Sequence, residues 1–197
     1  MPLILASSSP YRKSLLQRLG IPFQAYSPDV DETPRPGETP VDLALRLSAA
    51  KAHAIANHHP GKLVIGSDQV ATVNGTPIGK AGSFERARQQ LQSLSGQTVE
   101  FHSALCVTDG QRDEMADVVT LCRFRTLSAT EIDNYLKADT PYDTAGSAKA
   151  ESLGIALMDS IRSDDPTAII GLPLIALSRM LRNFGLNPLD HAGLHTA

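Results

Sequence analysis

Serine and basic side chains follow the first apolar segment of the chain, residues 3–6. Ser9 is a favourable N-cap and Pro10 suits the first helical position, so a helix is predicted to begin here. The unpaired N–H groups at a helix start favour an anion, and the Arg12 guanidinium could hold a phosphate through two parallel hydrogen bonds. The segment therefore predicts a phosphate site. A capped helix with solvated charges is the alternative, and from this segment alone it is the better supported one.

A carboxylate follows the second strongly apolar segment, residues 63–66, which is predicted to be a strand ending at Gly66. Asp68 would then stand at the tip of this strand, ahead of a hairpin with an Asn74-Gly75 turn. Ligands of open α/β sheets bind beyond the carboxyl ends of strands, so Asp68 is a candidate metal ligand or general base. Because an isolated aspartate is a weak base at neutral pH, a divalent cation would have to help by acidifying a water molecule. The alternative is an aspartate that caps the turn.

Other charged residues could complete such a site. Glu32 lies in a loop rich in proline and acidic residues, 27–40, and is a candidate second metal ligand. Lys51 and Lys80 could neutralise phosphate charge that grows in a transition state. Lys51 falls off the apolar stripe of its predicted helix, however, and each lysine taken singly is predicted to lie on the surface.

Composition restricts the classes of partner. The net charge is −3, from 18 basic and 21 acidic residues, which disfavours bulk binding of nucleic acid. The sequence predicts neither a signal peptide nor a membrane span. Cys106 and Cys122 lack metal-ligand or redox spacing and are predicted to be buried, reduced thiols, as in a cytoplasmic protein. We therefore expect a cytoplasmic location and no nucleic-acid or membrane partner, with the choice between monomer and homodimer left open.

Several other signals are interpreted as structural. Residues 75–81 resemble a phosphate loop but are one residue short and end in alanine. His53, His58 and His59 are predicted to be solvated at a helix end. Asp165 precedes a proline, where a carboxylate usually caps or turns the chain.

Strands that alternate with helices predict an α/β core, and the long paired strands in the middle predict a mixed sheet. A capping box, Ser128 with Glu131, opens one of the helices. One domain is expected over residues 1–190, with a flexible tail over 191–197. Helices are predicted at 10–19, 40–54, 84–94, 129–138 and 173–184, and strands at 3–6, 63–66, 70–73, 76–78, 98–108, 117–126 and 154–158.

Several short motifs occur in a fixed order along the chain. They are Ser7-x-Ser9-Pro10-x-Arg12, Val30-Asp31-Glu32-Thr33-x-Arg35, Ile65-Gly66-Ser67-Asp68-Gln69-Val70, Gly79-Lys80, Glu131-Ile132-Asp133-Asn134-Tyr135 and Gly171-Leu172-Pro173-Leu174. This series resembles the Maf-like nucleotide pyrophosphatases, once described as septum-formation inhibitors. Tyr11 and Ser67-Asp68-Gln69 are similar to the YceF branch of that family, whose implied substrate is 7-methyl-GTP.

The resemblance implies an elongated mixed sheet flanked by helices, with two lobes around a central cleft, as in Maf and ITPase proteins. It implies metal-dependent hydrolysis of a nucleoside triphosphate to the monophosphate and diphosphate, with Mg²⁺, Mn²⁺ or Co²⁺ as the cation. The implied roles are catalysis for Asp68, metal binding for Glu32 and Asp68, triphosphate binding for Ser8, Arg12, Lys51 and Lys80, and base choice for Tyr11, Gln69 and Glu151.

These three base-choice positions suit a methylated guanine, because methylation at N7 makes the purine cationic. The aromatic face of Tyr11 attracts a cation, Glu151 can accept hydrogen bonds from guanine, and Gln69 can pair with a base edge. The alternatives are a tyrosine that only packs on its helix and a solvated glutamate. Two other functions stay open: a non-enzymatic, nucleotide-binding regulator of cell division, and a hydrolase for deaminated purines such as ITP.

Overall fold

The computed structural model describes residues 2–191, which form a seven-stranded sheet with helices on both faces. Within this range no helix is both long enough and apolar enough to cross a membrane. The strands are β1 (Leu3–Ala6), β2 (Phe23–Tyr26), β3 (Leu63–Val73), β4 (Thr76–Ile78), β5 (Thr98–Thr108), β6 (Asp113–Phe124) and β7 (Met158–Arg162). The helices are α1 (Pro10–Gln17), α2 (Pro40–Ala56), α3 (Phe84–Leu94), α4 (Ala129–Asp139) and α5 (Leu174–Asn183), with short 3₁₀ helices at Leu153–Leu157, Ala168–Ile170 and Pro188–His191.

The sheet is mixed, as predicted. Its strand order is β2-β1-β3-β5-β6-β7, and β4 pairs with the end of β3. β1 runs parallel to β2 and β3, whereas β3, β5, β6 and β7 follow one another in antiparallel pairs. Strand β2, which the sequence pattern did not predict, extends the parallel side.

One edge of β3 contains a gap. β5 pairs with residues 64–72 of β3 along one edge, so β1 and β4 share the other edge. On that shared edge β1 pairs only with residues 63–66, and β4 pairs only with residues 71–73. On this edge residues 67–70 therefore have no strand beside them, and the ends of β1 and β4 face each other across the opening.

The buried side chains form separate clusters, and two of these clusters correspond to the two lobes of the fold. Helix α2 covers one face of the sheet, where Ala52 and Ile55 pack with Ile4 and Val64. The opposite face carries two separate clusters of buried side chains. The first lies under α1 and α5, with Leu5, Leu16, Ile65 and Leu177 among its members, and the second lies under α3 and α4, with Leu91, Phe124 and Leu136 among its members.

Local signals in the sequence predicted several element ends correctly. The Ser9 hydroxyl accepts a hydrogen bond from the Arg12 N–H and caps α1. Both hydrogen bonds of the capping box between Ser128 and Glu131 are formed at the start of α4. Asn74 has a φ of 49°, and Gly75 after it has a φ of 76°, as the predicted hairpin turn requires.

Two predictions about elements are wrong. The strand predicted to end at Gly66 continues to Val73, because the polar side chains of Ser67 and Gln69 donate hydrogen bonds to a buried turn and do not interrupt pairing. Residues 154–158, predicted as a strand, lie mostly in a 3₁₀ helix, and β7 follows them. The flexible tail over 191–197 stays a prediction, because His191 ends a 3₁₀ helix and residues 192–197 lie outside the described residues. The single domain over 1–190 stays a prediction.

Gly66 lets α2 approach the sheet closely. A Cβ atom at this position would lie 2.7 Å from Ala52 N, in the middle of α2. The variant Gly66→Ala is therefore expected to destabilise the protein by about 3 kcal/mol through overpacking, which lowers Tm by about 6–12 °C. Thermal unfolding measures this. Gly79→Ala, where an added Cβ meets nothing within 4 Å, should leave Tm nearly unchanged, and equal losses in both variants would contradict the packing argument.

Candidate active site

The gap beside β3 opens into a cleft of about 410 Å³ between the two lobes. The end of β1 leads directly into the serine segment and α1 on one side, and the end of β4 leads into Lys80 on the other side. The chain topology thus brings segments from distant parts of the sequence to one place. The predicted site residues that line the cleft are Ser8, Tyr11, Arg12, Glu32, Lys51, Asp68, Gln69 and Lys80.

A lysine joins the two acidic residues of the cleft. Lys51 Nζ lies 2.6 Å from Asp68 Oδ1 and 2.7 Å from Glu32 Oε1. Asp68 is 8% exposed and Lys51 is 7% exposed, so this ion pair is largely desolvated. The hydrogen bond from Lys51 lowers the pKa of Glu32, although partial burial opposes the shift. Both carboxylates are therefore held close together despite their like charges.

The predicted surface position of Lys51 is wrong. Its neighbours Ser48 and Ala52 contact β3 at Gly66, and Lys51 consequently projects along the sheet to Asp68. Asp68 itself lies in the middle of β3 and not at a strand tip. Because β1 has ended two residues earlier, the side of β3 at Asp68 is nevertheless open to a ligand. Lys80, by contrast, is exposed as predicted.

Arg12 is fixed by the main chain of a distant segment. Its Nε donates to the carbonyl oxygen of Gly171 at 2.9 Å, and the Ser67 hydroxyl donates to the same oxygen at 3.0 Å. Burial lowers the pKa of Arg12, while Asp68 and Glu32 oppose the shift, and a guanidinium stays charged in proteins. The remaining N–H groups of Arg12 are thus available to an anion.

The three serines have different surroundings. The Ser7 hydroxyl accepts from Ser9 N at 3.1 Å, and the Ser9 hydroxyl caps α1. Ser8 is exposed, and its hydroxyl has no hydrogen-bond partner among residues 2–191. Ser8 is therefore the serine of this segment whose hydroxyl can bind a ligand, and it lies beside the N-terminus of α1, where an anion is favoured.

The acidic residues fit a hard divalent cation. Glu32 and Asp68 each use one carboxylate oxygen for Lys51, and within residues 2–191 the other oxygen of each forms no hydrogen bond. Carboxylate oxygens, completed by water or phosphate oxygens, are the ligands that Mg²⁺ and Mn²⁺ prefer. The two residues could thus hold such an ion through their free oxygens.

Gln69 lines the cleft but its amide nitrogen is already occupied. Gln69 Nε2 lies 3.0 Å from the carbonyl oxygen of Ala168, 3.1 Å from that of Ile169 and 2.9 Å from the Ser103 hydroxyl. Only the amide oxygen is left for a ligand. Tyr11 lines the same cleft, as do Asp143 and Thr144 of the loop that follows α4.

Glu151 is the one predicted site residue that is absent from the lining of the cleft. It is exposed as a residue, but protein atoms around its carboxyl group remove part of its hydration. This desolvation raises the pKa of Glu151, Asp139 and Asp143 add to the rise, and Lys149 opposes it. A cation bound nearby would favour the ionised form.

The raised pKa gives Glu151 a pH signature. Above pH 4.5 the folded protein retains a proton on Glu151 that the unfolded chain releases. The protonated Glu151 therefore contributes stability at low pH, and that contribution is lost as the pH rises through the pKa of Glu151 in the folded protein. Glu151→Gln should therefore raise Tm relative to the unsubstituted protein at pH 8 and leave it unchanged at pH 4. Thermal unfolding at both values measures the difference, and a lower Tm of the variant at pH 8 would contradict it.

A family model described as "Maf-like protein" matches residues 2–184. The chain belongs to the Maf-like protein family. Among its relatives, the protein named 7-methyl-GTP pyrophosphatase of Bordetella pertussis is 75% identical over 187 residues, covering 95% of this chain and 94% of that protein. The proteins with this name from Bordetella avium and Burkholderia orbicola are 70% and 63% identical, covering 95% and 91% of this chain and 95% and 88% of their own.

This Maf-like protein also has cleft residues that the sequence analysis did not assign to the site. Asp143 and Thr144 follow the predicted end of α4, and no motif marked them. Gly171 was part of a quoted motif, but its role depends on a φ of 111° that turns its carbonyl toward Arg12. Cys106 and Cys122 are free, buried and absent from this lining, and burial raises the pKa of each to about 12, as expected of inert thiols.

Proposed function

We propose that this protein hydrolyses a nucleoside triphosphate, with 7-methyl-GTP as the preferred substrate, to the monophosphate and diphosphate. The observation that carries the proposal is the convergence of Asp68, Glu32 and a set of phosphate-binding groups on one cleft. Relatives at 63–75% identity are named 7-methyl-GTP pyrophosphatase. The alternative of a non-enzymatic regulator is not favoured by these findings.

Asp68 acts as the general base. Its Oδ1 is held by Lys51 at 2.6 Å. The second oxygen has two lone pairs, so that one can face the cation and the other can accept a proton from water. Lys51 orients the carboxylate at the open edge of β3. The water that loses its proton attacks the α-phosphorus, and diphosphate leaves.

The triphosphate is held by groups on both sides of the gap. Arg12 and the Ser8 hydroxyl bind it from the α1 side, and Lys80 binds it from the β4 side. Lys51 and Arg12 lie near the negative charge that develops on the leaving diphosphate, and preorganised cations of this kind stabilise such a transition state.

A divalent cation completes this site. Glu32 and Asp68 would hold it, and when bound it supplies acidification of the attacking water and charge neutralisation of the phosphate oxygens. The free oxygen of each carboxylate supports this assignment, and Mg²⁺, Mn²⁺ and Co²⁺ are the candidates.

Base choice is assigned to Tyr11, Gln69 and Glu151. Tyr11 lines the cleft and offers an aromatic face to a cationic purine. Gln69 offers its amide oxygen, since its nitrogen is bonded to main-chain carbonyls. Glu151 would contribute through its negative charge, and a substrate that reaches beyond the cleft lining is required for direct contact.

The variant Tyr11→Leu tests the cationic base. We expect the ratio of kcat/KM for 7-methyl-GTP over GTP to fall about 5-fold, as the loss of about 1 kcal/mol of cation–π attraction predicts. Tyr11→Phe keeps the ring and should keep the ratio. An unchanged ratio in Tyr11→Leu, or an equal loss in Tyr11→Phe, would contradict recognition by the aromatic face.

The proposal as a whole is tested with a nucleotide panel. Purified protein is incubated with 7-methyl-GTP, GTP, ITP, dTTP and UTP in the presence of Mg²⁺, Mn²⁺ or Co²⁺, and released diphosphate is measured. The expected result is metal-dependent turnover that is fastest with 7-methyl-GTP. Faster turnover of ITP would assign the protein to deaminated purines. No turnover with any combination of nucleotide and metal would overturn the proposal. We also propose that the protein is cytoplasmic and acts as a single domain. Its partner in this proposal is a small nucleotide, and neither nucleic acid nor a membrane is involved.

A further inference from the structure

A turn at residues 167–172 closes the floor of the cleft, and several of its carbonyl groups accept hydrogen bonds from side chains. The Ala168 oxygen accepts from Ser103 at 2.7 Å and from Gln69 at 3.0 Å. The Gly171 oxygen accepts from Arg12 and Ser67. Short polar side chains of two adjacent strands, β3 and β5, therefore anchor this turn to the sheet.

Two buried side chains brace the turn from behind. Asp165 is 2% exposed and Thr167 is 6% exposed. Asp165 Oδ2 accepts from the N–H groups of Ile175 at 2.6 Å and Ala176 at 3.2 Å, at the start of α5. Asp165 Oδ1 accepts from Thr167 N at 3.1 Å. Asp165 therefore ties the beginning of the turn to the N-terminus of α5.

Thr167 closes the turn. Its hydroxyl accepts from Leu174 N at 2.8 Å and lies within 2.8 Å of both Leu172 O and Asp165 Oδ1, so it can donate to one of them. Gly171 lies inside this closed loop with a φ of 111°, which L side chains rarely adopt. The direction of its carbonyl is thus set by Thr167 and Asp165 and not by α5 packing alone.

We propose that Thr167 and Asp165 are positioning residues for Arg12. They hold the Gly171 carbonyl where it receives Arg12 Nε, and this contact aims the remaining guanidinium N–H groups at the triphosphate. Neither residue lines the cleft, so their effect on the substrate passes through Arg12. The inference rests on the proposed function in that the anion is the triphosphate of the substrate.

The test is a double-mutant cycle between Thr167→Val and Arg12→Ala, measured with 7-methyl-GTP. Valine keeps the shape of threonine but removes its hydroxyl. Thr167→Val in the otherwise unsubstituted protein should raise KM about 10-fold with a smaller effect on kcat. In the Arg12→Ala background the same substitution should change KM less than 2-fold. Thr167→Ser, which retains the hydroxyl, should restore KM to within about 2-fold of the starting value.

A purely structural role predicts a different pattern. If Thr167→Val impairs the protein equally with and without Arg12, or if Thr167→Ser fails to restore KM, the positioning role is overturned. Asp165→Asn, which keeps one carbonyl acceptor, serves as a second variant if Thr167→Val does not fold, and it should show the same dependence on Arg12.

Binding of inorganic triphosphate separates this inference from the proposed function. Calorimetry of the same variants with that anion requires no turnover. Suppose that the protein releases no diphosphate from any nucleotide, but that Thr167→Val weakens triphosphate binding about 10-fold only when Arg12 is present. This result would refute the proposed function and retain the positioning role. Equal affinity of Thr167→Val and the unsubstituted protein would refute the positioning role alone.

Discussion

Replacing Asp68 with asparagine is expected to lower the rate of diphosphate release about 1,000-fold while the fold is retained. Asparagine keeps the size of the side chain and can still accept a hydrogen bond from Lys51, which lies 2.6 Å away. It cannot take a proton from water, and loss of a general base costs about 100- to 10,000-fold. A discontinuous assay of diphosphate at saturating substrate, with circular dichroism as the check on folding, measures the effect.

Asp113→Asn is the matched control for this substitution. Asp113 lies at the start of β6, is exposed and does not line the cleft. Its replacement should leave the rate within about 2-fold of the starting value. If Asp68→Asn retains more than a tenth of the activity, a different group removes the proton and the assigned role of Asp68 is wrong.

The variant Lys51→Met is expected to lose both activity and stability. The ammonium of Lys51 compensates the buried carboxylate of Asp68 and binds Glu32, so its removal leaves Asp68 without its partner. Breaking one partner of a buried pair costs about 3 kcal/mol, and loss of a preorganised charge in the site lowers kcat/KM about 100-fold. Denaturant unfolding and steady-state kinetics measure the two losses.

A second substitution separates the two losses. Lys51→Met/Asp68→Asn also removes the carboxylate that Lys51 compensated, and Glu32 remains as a charge partner of the buried Arg12. At least half of the lost stability should therefore return while activity stays absent. Lys62→Met is the control, because within residues 2–191 the Lys62 ammonium forms no ion pair and its one hydrogen bond is to an exposed glutamine, Gln24. If the double variant is less stable than Lys51→Met, charge compensation does not explain the burial of Lys51.

Local chemistry made much of the fold predictable from the sequence. N-caps such as Ser9 and Ser128, the Asn74-Gly75 turn and the alternation of apolar segments each act within a few residues, and each is formed as predicted. The mixed sheet followed from the same signals. The 3₁₀ helix at Leu153–Leu157 was missed because an apolar run of that length does not distinguish a strand from a single turn.

The sequence predicted most of the residues that line the cleft, but it did not predict the contacts between them. Lys51 appeared to belong to the surface because its helical position leaves the apolar stripe, and only Asp68 and Glu32, from distant segments, explain its burial. Ser67 and Gln69 looked like the end of a strand because their partners are carbonyl groups about a hundred residues away. Periodicity within a helix or strand contains no information about such partners. The order of the motifs, in contrast, indicated that these residues belong to one site.

Hydrolysis in water labelled with ¹⁸O tests the central claim most directly. In the proposed mechanism the activated water lies at the α-phosphorus, beside Asp68 and opposite the leaving diphosphate. Mass spectrometry of the products from 7-methyl-GTP should therefore find one ¹⁸O atom in 7-methyl-GMP and none in the diphosphate. Label in the diphosphate, or release of single phosphate groups in its place, would show attack at another phosphorus and contradict the mechanism.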